Sequence, residues 1–126
     1  MFHLTVRDHV MIAHSLPHPS FGPAQNLHGA TYVVELTLWR ETLTQESIVI
    51  DIGEAAEVLK RALSDLNYRN LDDHPDLVGT LTTTEAVAQL VAERVASSLE
   101  SRGLSSVDVT LREHPDAWAG YTKTLE

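Results

Sequence analysis

The chain has 126 residues, 43% hydrophobic and 21% charged, a balance that fits one folded domain and excludes wholesale disorder. Eighteen acidic against nine basic residues give a formal net charge of -9, which argues against a nucleic-acid backbone as partner. With no cysteine there is no disulfide framework, no thiolate nucleophile and no thiolate metal ligand.

No apolar run approaches the ~18 residues of a membrane span. The opening MFHLTVRDHV carries charges where a secretory leader needs an apolar stretch. The expectation is a cytoplasmic protein without a membrane partner.

Residues 2–12 read as a strand, with Phe2, Leu4 and Val6 alternating against His3, Thr5 and Arg7. The alternation is expected to slip at Asp8 and His9, as at a bulge, before Val10 and Ile12 resume it. Residues 15–29 hold three prolines and two glycines and read as a loop. Its length exceeds an ordinary hairpin connection, and such loops are often functional. Residues 30–40 form the clearest strand, with Tyr32, Val34, Leu36 and Leu38 on one face. Trp39 lies on the other, mixed face, either against another subunit or covering its own loop. The segment SIVIDI extends the sheet or leads directly into a helix.

Asp51-x-x-Glu54 has the form of a capping box, and Ala55, Val58, Leu59, Ala62, Leu63 and Leu66 follow at helical spacing. Residues 67–81 read as a second long loop. Thr82-x-x-Glu85 opens another helix in the same way, expected to stop at Arg102-Gly103. Val107, Val109 and Leu111 alternate as a short strand, and residues 117–121 form a last one. With no linker or repeat, residues 1–126 read as a single domain. The order strand, strand, helix, helix, strand, strand predicts an α+β fold: a four-stranded antiparallel sheet with two helices packed on one face.

A few polar residues break these patterns. Glu113 keeps the parity of Val107, Val109 and Leu111. Either the strand ends at Arg112 and Glu113 is solvated, or its carboxylate accepts from a ligand with paired N–H donors. His14 and His28 flank the first long loop, as ordinary loop histidines or as a metal half-site. Structural zinc needs four ligands and catalytic zinc three plus water. Asp73-His74 is a surface pair or a base with its orienting carboxylate. The run Thr82-Thr83-Thr84 is explained first by helix capping, with any ligand role sharing the site.

At AHSL (13–16), LHGA (27–30), DIG (51–53), TTTEAVA (82–88) and REH (112–114), the chain resembles the family of 6-pyruvoyltetrahydropterin and 6-carboxytetrahydropterin synthases. The resemblance runs nearly end to end in the same element order. It implies a tunnelling fold (T-fold), in which subunits join their sheets into a barrel, commonly a homohexamer of two trimers with active sites between subunits. It also implies that Glu113 binds the amino-pyrimidine edge of a pterin, assisted by groups at Thr83 and Thr84. A carboxylate facing a 2-amino group and a ring N–H makes two charge-assisted hydrogen bonds.

Other positions depart from the family pattern. The family's zinc uses three histidines, matched by His14, His28 and, in third place, Ala30. The catalytic cysteine falls on Ala24, and the aspartate-histidine pair falls on Asn67-Tyr68. His14 and His28 are thus read as remnant ligands, with no metal and no other cofactor expected. The leading expectation is a divergent relative that keeps a pterin-like pocket at Glu113, Thr83 and Thr84 and has lost the parent synthase chemistry, with no catalytic residue assigned. The alternatives are altered chemistry on a pterin or deazapurine precursor through Asp73-His74, and a non-catalytic oligomeric scaffold.

Overall fold

The structure, a computed structural model, describes residues 1–125. Strands β1 (Phe2–His14) and β2 (His28–Arg40) pair antiparallel in one unbroken register, from Phe2 opposite Arg40 to His14 opposite His28. The bulge expected at Asp8 and His9 is absent from this pairing. Asp8 takes its turn, half-buried, in the inward series Leu4, Val6, Val10 and Ile12, so the alternation never slips.

SIVIDI does not extend the sheet. Val49 and Ile50 are buried, and Asp51 caps helix α1 (Ile52–Leu63) by accepting the Glu54 N–H at 2.9 Å. The reciprocal half of the expected capping box is not made, because the Glu54 carboxylate is held by Arg102 at 2.5 and 2.7 Å. Within the expected loop 67–81, β3 (Arg69–Asn70) runs parallel to β1, and two short 3₁₀ turns follow. A strand of two residues is too short to show any periodicity.

Helix α2 (Thr84–Ser98) starts one residue later than the Thr82-x-x-Glu85 pattern suggests, with the Thr83 hydroxyl accepting the Ala86 N–H at 3.2 Å. It also ends before Arg102-Gly103: the buried Leu99 closes it, donating its N–H to Val95 and Ala96. Strands β4 (Ser106–His114) and β5 (Ala117–Thr124) complete a sheet of order β3-β1-β2-β4-β5. The predicted four antiparallel strands are therefore joined by a fifth, parallel one, and the sheet is mixed.

Both helices cover one face, α1 over β1 and α2 over β4 and β5. Tyr32, Val34, Leu36 and Leu38 of β2 meet Leu59, Val91 and Val95 there, all fully buried or nearly so. Each such aliphatic side chain stabilises the fold by roughly 1.5–3 kcal/mol. On the opposite face Trp39 is held by its own sheet. Its Nε1 donates to Asp108 at 2.6 Å, and its ring lies 4.4 Å from that of His3. Among the described residues no helix is long and apolar enough to cross a membrane.

Candidate functional site

The long β1–β2 pairing ends on two histidines, and that end becomes the site. His14 is the last residue of β1 and keeps the inward parity of Val10 and Ile12; His28 opens β2 directly opposite. Their rings meet edge-on with centroids 4.6 Å apart.

Backbone carbonyls fix both tautomers. His14 Nδ1 lies 2.8 Å from the Thr82 carbonyl oxygen, and His28 Nδ1 lies 2.8 Å from that of Asn26. A carbonyl can only accept, so each Nδ1 carries the proton and each neutral ring keeps its lone pair on Nε2. His14 Nε2 is buried without a hydrogen-bond partner. A buried acceptor left unmade costs about 1–3 kcal/mol, so such an atom calls for a ligand.

Asp72 ties this end together. It accepts from the Ser15 N–H at 2.9 Å, the Ser15 hydroxyl at 2.6 Å and the Thr82 hydroxyl at 3.1 Å. The segment leading to α2 is thereby pinned against the end of β1. No periodic pattern marks Asp72; its only sequence signal is an acidic residue in a loop next to a threonine-rich helix start.

Glu113 arrives from the far side of the sheet. The pairing of β4 with β5 carries a bulge between Arg112 and His114, which takes Glu113 out of the ladder. It is neither buried in the core nor simply solvated: its Oε2 accepts from the Thr84 hydroxyl at 2.9 Å. Thr84 is buried, whereas the half-buried Thr83 spends its oxygen on capping α2.

Tyr32 is buried in the core, as its pattern predicts, with its ring 6.5 Å from that of His14. Its hydroxyl is fully buried and unpartnered, and burial pushes its pKa up to about 12. The Thr84 hydroxyl moderates that shift without a hydrogen bond of proper geometry, while the Glu113 and Glu85 carboxylates add to it. The phenol is therefore a permanent donor near neutral pH.

A donor atom from each of His14, His28 and Glu113 lies within 4.8 Å of the other two. Two neutral imidazoles with free Nε2 lone pairs and one carboxylate fit a divalent cation of the zinc type. Ala30, two residues along β2 from His28, supplies no donor.

The Asp73-His74 pair is not what the spacing suggests. His74 is buried, and its Nε2 donates to Asp65 at 2.9 Å, not to Asp73. Its Nδ1 accepts the Asp76 N–H at 3.1 Å, so both ring nitrogens are occupied and none is left to act as a base. Arg94 neutralises the same cluster, bonding Asp65 at 2.6 and 3.1 Å and Asp76 at 2.8 Å. Asn67 and Tyr68 serve β1 instead, with the Asn67 side-chain Oδ1 accepting the Met11 N–H at 2.9 Å and the Tyr68 N–H reaching the Met11 carbonyl at 2.7 Å. A cleft of about 460 Å³ is lined by Met11, Gly29, Ala30, Tyr68, Arg69 and Asn70, and none of the site side chains lines it.

Comparison with known proteins agrees with this fold. The family model described as 6-pyruvoyl tetrahydropterin synthase matches residues 3–124. The chain is similar to the 6-carboxy-5,6,7,8-tetrahydropterin synthase of Bacillus subtilis, at 28% identity over 127 aligned residues covering 95% of this chain and 84% of the relative. It is 32% identical over 82 residues to the 6-pyruvoyl tetrahydrobiopterin synthase of Dictyostelium discoideum, covering 64% of this chain and 61% of that protein. In fold it matches the 6-pyruvoyl tetrahydropterin synthase of Caenorhabditis elegans with a TM-score of 0.82 at 24% identity, covering 98% and 96% of the two chains. A match that begins at residue 3 and ends at residue 124, spanning every strand and helix that builds the site, makes this chain a member of the 6-pyruvoyl tetrahydropterin synthase family.

Proposed function

We propose that this protein binds a pterin or a related 2-amino-4-oxo heterocycle between Glu113 and the start of α2, without the parent synthase reaction. The observation that carries this reading is the 2.9 Å bond from the Thr84 hydroxyl to Glu113 Oε2. It holds an otherwise exposed carboxylate in place while leaving acceptor capacity for two parallel N–H donors. The Thr83 oxygen accepts a backbone N–H, and its own proton remains available for the ligand's 4-oxo group.

The absence of synthase chemistry is inferred from what stands at the proton-transferring positions. Ala24 has no titratable group, the Asn67 amide carries no transferable proton near neutral pH and is committed to the Met11 N–H, and Tyr68 is exposed to solvent. Ala30 and Tyr68, two of the altered positions, line one cleft. That supports a ligand whose far side differs from the family's. Anchoring and orientation fall to Glu113, Thr83 and Thr84.

The proposed assembly is a homohexamer of two trimers. The outer edge of β5 has no strand neighbour in the sheet order, and Trp118 on that strand is exposed; both features support a further subunit there. A fluorescence titration with a panel of pterins, run beside Glu113→Ala, tests the reading. Micromolar binding that weakens at least about tenfold in the variant supports it, consistent with loss of a charge-assisted pair. No binding by the unaltered protein overturns it in favour of an oligomeric scaffold.

A further inference from the structure

In the family pattern the third imidazole stands at position 30, where this chain has Ala30 facing Ile12 across the strand pair. Two imidazoles alone leave a cation short of protein ligands. The missing donor has another source. Glu113, set free of the ladder by the β4–β5 bulge, brings a carboxylate oxygen within 4.8 Å of the donor atoms of His14 and His28.

We propose that Glu113 is the third protein ligand of a divalent-cation site with His14 and His28 in the ligand-free molecule, so that cation and heterocycle oppose one another through a single carboxylate. The cation site stands on its own observations; only the opposition rests on the pterin reading above.

Each donor is already oriented by a neighbour. The Thr82 and Asn26 carbonyls place a proton on each Nδ1 and so aim each Nε2 at the site, and the Thr84 hydroxyl holds Glu113. Outer partners of this kind fix the tautomer and aim of metal ligands. His14 Nε2 is buried and unpartnered, which independently points to a ligand at this spot. Donors around one zinc ion lie roughly 3.3 Å apart for bonds of about 2.0 Å. Glu113 is exposed, and the Thr84 hydroxyl engages its Oε2 alone, leaving the other carboxylate oxygen for the cation. Two imidazoles and a carboxylate suit Zn(II), Co(II) or Fe(II) over the oxygen-seeking Mg(II) and Ca(II). The other cluster of similar spacing, Asp65, His74 and Asp76, offers no such vacancy, because Arg94 and a backbone N–H already occupy its donors.

The test uses chelator-treated full-length protein titrated with Co(II), read by visible absorption and by metal content per chain. One Co(II) per chain is expected. Glu113→Gln should weaken it by at least about tenfold, the lower end of what even an outer-shell loss costs. Adding Ala30→His to Glu113→Gln should restore binding by returning a third imidazole. Pterin should raise the Co(II) dissociation constant of the unaltered protein at least about fivefold, a typical coupling. No stoichiometric Co(II), or equal affinity in Glu113→Gln, overturns the site. Pterin that binds the stripped protein by fluorescence but leaves Co(II) affinity unchanged overturns the opposition. Pterin that fails to bind the stripped protein overturns the reading of the function, while the cation titration still stands or falls alone.

Discussion

Thr84 and Glu113 belong to distant parts of the chain, yet the Thr84 hydroxyl donates to Glu113 Oε2 at 2.9 Å, joining the first turn of α2 to the β4–β5 bulge. The arrangement separates the two threonines that sequence reasoning treated alike. Thr83 builds the helix start, and Thr84 aims the carboxylate.

Thr84→Val should therefore loosen Glu113 without removing it. Loss of one hydrogen bond to a charged group is worth about 1.5 kcal/mol, so pterin affinity should fall by roughly tenfold. Glu113→Ala removes the anchor itself and should cost more. Fluorescence titration of both variants ranks them, and a Thr84→Val effect equal to that of Glu113→Ala would contradict the division of roles.

Tyr32 carries a prediction of opposite sign. Its hydroxyl is buried without a partner in the ligand-free protein, and a buried polar group left unmade costs about 1–3 kcal/mol. Tyr32→Phe should accordingly raise stability by about 1 kcal/mol, seen as a higher urea midpoint at unchanged slope. A lower midpoint would show that the hydroxyl already has a partner.

Much of the architecture is legible in the residues because burial enforces period. Tyr32, Val34, Leu36 and Leu38 share a face at alternate positions, and Val58, Leu59, Ala62 and Leu63 recur at helical spacing. What stayed hidden depends on contacts between distant segments. β3 has two residues and exists because Asn67 and Tyr68 meet Met11. The Glu54 half of the capping box failed because Arg102, 48 residues away, claims its carboxylate. Parity left Glu113 either inward or solvated past the strand's end, and the β4–β5 bulge at Glu113 itself takes it out of the ladder. Broken patterns singled out His14, His28 and Glu113, and the resemblance supplied their roles. The approach of the Glu113 carboxylate to the two imidazoles is a property of the folded sheet, to which position 30 gave no clue.

At Gly103 chain conformation and packing together fix the residue. Its φ of +79° is left-handed, and a Cβ there would lie 2.9 Å from an Arg40 guanidinium nitrogen. That nitrogen also donates to the Arg102 carbonyl at 2.6 Å, so it is not free to swing away. Gly103→Ala should destabilise by about 1–2 kcal/mol, the usual cost of a left-handed conformation for a residue with a Cβ. Urea unfolding measures it, and a change under a few tenths of a kcal/mol would mean the turn relaxes.

The Asp65 network sets an acid limit on stability. The Arg94 guanidinium, bonded at 2.6 Å, holds the Asp65 carboxyl below its ordinary value of 3.8; partial burial opposes this and His74 assists. A carboxyl depressed in the folded state stabilises it when ionised. Its contribution is fully present above about pH 4, the unfolded value, and is lost as pH falls through the lower folded value. Asp65 is 53% exposed, so solvent screening limits the effect to about 1 kcal/mol or less. Asp65→Asn should lower the melting temperature by a few degrees at pH 6, by roughly 4 °C per kcal/mol for a domain of this size. The difference should shrink as both proteins are titrated from pH 4 towards pH 2. Parallel melting curves across that range would show that the Arg94 contact leaves the Asp65 carboxyl at its ordinary value.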